Sequence, residues 1–348
     1  MEKRNKSGNP EAVKTRKKSE ILTIRSFVML AFSIALAVFL FHQINITETL
    51  RAFSSADLVP VTAACCIYFI SNYFKSIRYN AILKKYSIGA FNIFAITAYQ
   101  NFFNQLLPAR AGELTLIYYM KKIAGADVSS GFHVLLVTRI YDFIVVAAFF
   151  IISLVIYSGH NMPYFLMIGT GLFVVSIIFL FSIKRIVHIA QALYNRAIVR
   201  FGLLEKPAAM KLKSGLEKLD TEFSDYDIAR QAPVLVLTSI FVWITQYLLA
   251  YLVIISFGVN LGIAQSVAGS TGQVIANVLP VNSFGSFGTL EAGWTGGYVL
   301  AGMSAQDAIT TGLAYHFITL AAAIMLAFVC YGSRKIIESR RSALTFRS

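Results

Sequence analysis

Two long apolar stretches of this chain are interrupted at their centres in the same way. Residues 104–114 read Asn-Gln-Leu-Leu-Pro-Ala-Arg-Ala-Gly-Glu-Leu, and residues 277–291 read Asn-Val-Leu-Pro-Val-Asn-Ser-Phe-Gly-Ser-Phe-Gly-Thr-Leu-Glu. Each puts Leu-Pro, then Gly, then Glu inside sequence apolar enough to enter a bilayer. There an unpaired backbone group costs several kcal/mol and a carboxylate or guanidinium is costly too. Broken helices at membrane depth persist where protein or a polar cavity satisfies them, so these breaks mark the places to look for function.

The setting is a membrane. Of 348 residues, 57% are hydrophobic and 14% charged, and the mean hydropathy is +0.65, which excludes a large soluble domain. Cys65, Cys66 and Cys330 all fall in apolar runs and read as buried small hydrophobes, with no disulfide framework or metal site implied. Residues 1–25 read as a basic, disordered cytosolic tail, and 26–41 as an uncleaved first span. Continuous spans follow at about 57–79, 128–157, 163–183, 232–257 and 306–331, each near the length of about 20 residues that a crossing needs. Residues 88–122 and 261–301 hold the breaks and read as re-entrant pairs of half-helices.

This predicts an all-α integral membrane protein of six full spans plus two re-entrant hairpins, with both termini cytoplasmic. Charge supports that topology. Apart from Arg110 and Arg139 inside membrane segments and Arg51 outside, all of the 31 basic residues fall on the cytoplasmic side, Lys75 and Arg78 among them. The positive-inside rule is thereby obeyed, and it would fail if either broken region crossed once.

The same map predicts an inverted repeat within a transmembrane domain over 26–333: repeat one at about 57–157, repeat two at about 231–333, and a basic tail from 334. Both repeats open their last span with a small-residue turn, Gly125-Ala-Asp and Gly302-Met-Ser. The linker, residues 184–230, carries Ile186, Ile189 and Leu193 at helical spacing among basic residues. It reads either as an amphipathic helix on the anionic inner leaflet or as a cytosolic helical hairpin. The net charge of +14 follows from topology and lipid contact. Without an aromatic-basic motif, no nucleic-acid partner is indicated.

The candidate site comes from charge at membrane depth. Arg110, after Pro108 and before a half-helix starting near Gly112, suits an anion such as phosphate. Glu113 complements that helix's dipole and Glu291 mirrors it. Arg139 and Asp142, at i and i+3 near the centre of their span, read as a pair that also reaches substrate. Gly285 and Gly288 offer backbone donors in a flexible loop, and Asn104 and Asn277 offer amides. His133 and His316 read as hydrogen-bonded interior histidines. No nucleotide fingerprint or metal-ligand cluster is present, so no cofactor, metal or catalytic residue is assigned.

The run from Asn104 to Leu114, then Arg139-Ile-Tyr-Asp142 and later Leu279-Pro280 with Gly285, Gly288 and Glu291, resembles the transmembrane flippase-like domain of lysylphosphatidylglycerol synthases over nearly the whole chain. The second motif departs from the usual glycine-rich form at residues 281–284. The resemblance implies translocation of a phospholipid, or of a polyprenyl-phosphate lipid, between the leaflets of the plasma membrane. Fused synthases add a soluble aminoacyltransferase domain; this chain ends shortly after its last span, so lysyl transfer is not expected of it. The alternatives are a membrane-embedded transferase, or an accessory subunit for a separate lipid-modifying enzyme.

Overall fold

The structure, a computed structural model, describes residues 46–107, 111–158, 163–203, 205–278 and 288–345. The expected first span, and the positions of Pro108, Arg110, Pro280 and Gly285, lie outside the described residues.

All eleven described elements longer than one turn are α-helices: α1 (Ile46–Ser55), α2 (Leu58–Ile82), α3 (Ala90–Leu106), α4 (Ala111–Ala124), α5 (Val128–Ser158), α6 (Pro163–Arg200), α7 (Pro207–Ser224), α8 (Ile228–Ser256), α9 (Ile263–Val278), α10 (Thr289–Leu300) and α11 (Ala305–Thr345). Five of them, α2, α5, α6, α8 and α11, are long and apolar enough to cross a membrane. The expected spans after the first coincide with these five. By contrast α3, α4, α9 and α10, at 17, 14, 16 and 12 residues, reach only about 18–26 Å, short of a hydrocarbon core of about 30 Å.

The order long, short, short, long therefore occurs twice, as α2–α5 and as α8–α11. Both leading helices begin at an aspartate cap. Asp57 accepts the Val59 N–H at 2.9 Å and Asp227 accepts the Arg230 N–H at 3.1 Å, each satisfying a donor that a helix start leaves open. The two leading helices run antiparallel. The N–H of Asp57, at the start of α2, bonds the carbonyl of Ser256, at the end of α8, at 2.8 Å, while Phe74 stacks on Phe241 towards the other end.

Both halves also turn at a left-handed glycine before their last long helix. Gly125 has φ +66° and Gly302 φ +94°, a region open to glycine at no steric cost. The turns sit at opposite ends of α5. Gly125 precedes its first residue, whereas a Cβ at Gly302 would lie 3.3 Å from the hydroxyl of Tyr157, near its last. Within each half the short helices pack together, and each short pair also packs on the closing long helix of the other half, α3 on α11 and α9 on α5.

In the linker, α6 continues unbroken through residue 200, about 57 Å in all, and α7 returns along it after a turn at Gly202 (φ +58°), a helical hairpin with Ile186, Ile189 and Leu193 exposed on it. One expectation needs correction: Lys75 and Arg78 do not emerge from the bundle at the end of a span. They lie on the inner face of α2, and Arg78 is only 2% exposed. Of the cysteines, Cys330 is buried but Cys66 is exposed. Much of the outer surface is apolar, with Val174, Val175, Ile178 and Phe181 of α6 all exposed, as a lipid-facing helix requires.

Candidate functional site

A cavity of about 240 Å³ lies between the two halves. The first half lines it with Tyr68 and Lys75 of α2, Asn101, Asn104 and Gln105 of α3, Glu113 of α4, and Arg139 and Asp142 of α5. The second half supplies Trp243, Gln246 and Tyr247 of α8, Ser270 and Gln273 of α9, Leu290 of α10, and Tyr315, His316 and Thr319 of α11. Five of the residues singled out from sequence, Asn104, Glu113, Arg139, Asp142 and Glu291, are in or directly against it. Glu291 reaches it through His316, whose Nδ1 is 2.6 Å from Oε1.

The charges are sorted into pairs, but not as sequence spacing suggests. Arg139 bonds Glu113 and stands 4.0 Å from Asp142. The close partner of Asp142 is Arg78, at 2.5 Å through Nη1 and 3.4 Å through Nη2. Trp243 adds its indole N–H to the same carboxylate at 2.9 Å, and Arg78 also donates to Ser239 at 3.0 Å. The i, i+3 pairing expected between Arg139 and Asp142 is thus the weaker contact of each, because other helices bring Arg139 a closer acceptor, Glu113, and Asp142 closer donors, Arg78 and Trp243.

Glu113 and Glu291 hold equivalent places in the two halves. Each is the third residue of its short helix, where a carboxylate meets the positive end of the dipole. Each pairs with the twelfth residue of the next long helix, Arg139 in α5 and His316 in α11. Glu291 further accepts the N–H of Gly288 at 2.7 Å. Gly288, at φ +83°, therefore serves the start of α10. His316, expected from sequence as a hydrogen-bonded interior histidine, is buried and bonded to Glu291, and it also lines the cavity. The available signal was the distance along the chain from Glu to its basic partner, 26 residues in one half and 25 in the other.

The pattern extends to a family. Residues 26–327 match the family described as lysylphosphatidylglycerol synthase TM region. The chain belongs to that family. It is a multi-pass membrane protein, and a lipid-related role follows from the membership. Among curated proteins, none matches it.

Of the remaining candidates, Gly112 has a structural role. A Cβ at Gly112 would fall 2.3 Å from the backbone nitrogen of Asn104, so glycine there lets α4 cross α3 closely. The Asn104 Oδ1 above it is buried with no hydrogen-bond partner among the described residues. Asn277 belongs to α9, its side chain outside the described residues. Among the described residues, no three His, Cys, Asp or Glu side chains gather in a metal-binding group.

A second polar cluster lies at the hairpin end. Glu222 of α7 accepts from Lys85, from Ser130 at 2.6 Å, and faces His133 Nδ1 at 3.6 Å. Burial pushes its carboxyl up, but the contacts from His133, Lys85 and Ser130 outweigh that and hold it at about 2. Phe223 and Tyr226 pack against His133 beside it, fastening the hairpin to repeat one.

Proposed function

We propose that this protein moves a phosphate-bearing lipid between leaflets by alternating access. The headgroup occupies the cavity between the halves while the acyl chains stay in the surrounding bilayer. The single observation that carries the reading is that each half contributes a glutamate paired with a basic side chain, Glu113 with Arg139 and Glu291 with His316, to one cavity from equivalent positions in the two halves. Intramembrane charge of this kind is expensive to keep and marks substrate paths. Family membership and the antiparallel leading helices support an inverted repeat, in which one half rocks against the other around a central site.

In this reading the two short-helix pairs are re-entrant, and the basic hairpin between the repeats faces the anionic inner leaflet of the plasma membrane. Arg139 and Arg110 hold the phosphate, Arg139 by sharing its guanidinium with Glu113. Asn104, Asn277 and the backbone around Gly112, Gly285 and Gly288 line the path, and Asp142 fixes Arg78 and Trp243 around it.

The test is headgroup translocation in reconstituted vesicles, read by quenching of a headgroup-labelled phosphatidylglycerol. The native chain is expected to translocate it, Arg110→Ala and Arg139→Gln to lower the rate at least about tenfold at equal reconstitution, as loss of a charge-assisted contact implies. Failure of the native chain to move any phosphate-bearing lipid would reject the reading, and unchanged rates would remove the arginine concerned from the site.

A further inference from the structure

Lys75 is the cavity cation that the ion pairs leave over. Arg78 and Arg139 are matched by Asp142 and Glu113. Lys75 has three N–H donors, and the contact it makes among the described residues is with one neutral acceptor, the Oδ1 of Asn101 at 3.4 Å. Asp142, which lines the same cavity, is already taken by Arg78 and Trp243. The acceptor itself is held in place. Asn101 turns its amide nitrogen to Asn72 Oδ1, and Asn72 donates to the Tyr68 carbonyl at 2.9 Å, so the carbonyl oxygen of Asn101 is aimed at the ammonium. A lysine held inside a helical bundle at membrane depth, with donors to spare and no carboxylate of its own, is a costly arrangement unless an anion completes it.

We infer that Lys75 is a further anion-binding group of the cavity between the two halves, beside Arg139, taking a phosphate oxygen of an anionic lipid headgroup. The shared chemistry is a phosphate oxygen, whether on a lipid or free. Its source being a lipid rests on the transport reading above. Charge selectivity follows: a headgroup whose net charge is negative brings the counter-ion that the site lacks, whereas a zwitterionic head brings a second cation to a cavity that already holds one in excess at this corner.

Trp243 lines the same cavity, and its indole supplies the readout. Full-length protein in a zwitterionic detergent is titrated by tryptophan fluorescence with dihexanoyl phosphatidylglycerol, dihexanoyl phosphatidylcholine and inorganic phosphate. The native chain is expected to bind the phosphatidylglycerol at least about tenfold more tightly than either of the others. Lys75→Gln should lose that preference and Lys75→Arg should keep it. Asn101→Asp gives the ammonium a built-in carboxylate; it should retain the fold and weaken phosphatidylglycerol binding by a similar factor, which settles the point if Lys75→Gln does not fold.

Unchanged affinity in Lys75→Gln or in folded Asn101→Asp would overturn the inference. Inorganic phosphate binding as tightly as the lipid would overturn the lipid as source. The vesicle assay separates this from the function itself: translocation by the native chain with equal translocation by Lys75→Gln rejects Lys75 alone. No translocation by the native chain rejects transport, and the fluorescence titration then still decides whether Lys75 binds the anion.

Discussion

Arg78 and Asp142 are 64 residues apart in sequence and 2.5 Å apart in space, and their energetics differ from those of a surface pair. Both are nearly excluded from the surface, with side chains 3% and 11% exposed. Removing one partner of such a pair strands the other, which costs about 3–5 kcal/mol, while replacing both by apolar groups of similar size is close to neutral or stabilising. Asp142→Ala should therefore lower stability by about that amount in a detergent unfolding titration, and Arg78→Met with Asp142→Leu should restore most of it. A loss below about 1 kcal/mol for Asp142→Ala would show the pair to be solvated. This pair also shows where reading residues in order falls short. A basic residue near the end of an apolar run looks like a headgroup anchor, so Lys75 and Arg78 read as cytosolic; only the packing of α2 against α5 and α8 turns them inward. Glu113 and Glu291 were legible because their signal is local: an acid two residues into a helix that follows Leu-Pro and Gly.

At the scale of elements, the long helices and the two breaks follow from hydropathy and from Pro and Gly placement, and α2, α5, α6, α8 and α11 begin within a few residues of the positions expected for spans. What hydropathy misses is how far α6 continues. The amphipathic pattern of residues 184–200 suits either a membrane surface or a partner helix; α7 docks on α6 and α5 and leaves Ile186, Ile189 and Leu193 exposed. Close packing inside the short-helix pairs is equally invisible in composition. A Cβ at Gly297 would lie 2.1 Å from the carbonyl oxygen of Gly269, as one at Gly112 would crowd Asn104. Gly112→Ala and Gly297→Ala should each destabilise by about 1–3 kcal/mol, the cost of overpacking, read as a lower thermal midpoint; an unchanged midpoint would mean that the pairs separate freely. The hairpin carries a pH dependence of its own. Because the folded Glu222 carboxyl is held at about 2, below its ordinary value of 4.5, its contribution is present above pH 4.5 and is lost as pH falls towards 2. Amide exchange across Pro207–Ser224, corrected for intrinsic rates, should rise through that window in the native chain. In Glu222→Gln it should already be raised at neutral pH and change little on acidification. Equal acid profiles for the two would detach Glu222 from the docking.

For the molecule as a whole, the transport proposal requires the two halves to be inverted, since a site reached alternately from two sides needs gates of matching build facing opposite ways. The relevant geometry is the placement of the two glycine turns at opposite ends of α5, a helix of 31 residues or about 46 Å. The Gly125 turn belongs to the hairpin end, where Asp127 meets Lys218 of α7 at 3.2 Å. The Gly302 turn belongs to the end where α1 lies, with Gln306 donating to Thr49 at 3.1 Å. With Cys65, Cys66 and Cys330 replaced by serine or alanine, single cysteines at the exposed positions Lys122 and Ala305 should therefore react from opposite sides of the membrane. A membrane-impermeant maleimide added to intact cells is expected to label Ala305→Cys and spare Lys122→Cys, and inside-out vesicles should reverse the outcome. Positive charge concentrates at the hairpin end, where Lys121, Lys122, Lys184, Arg185, Lys213 and Lys218 stand, which is why that end is assigned to the cytoplasm. Labelling of both cysteines from one side would place the two turns on the same face. The halves could then not serve as mirrored gates, and transport by rocking would have no structural basis even if lipid still bound in the cavity.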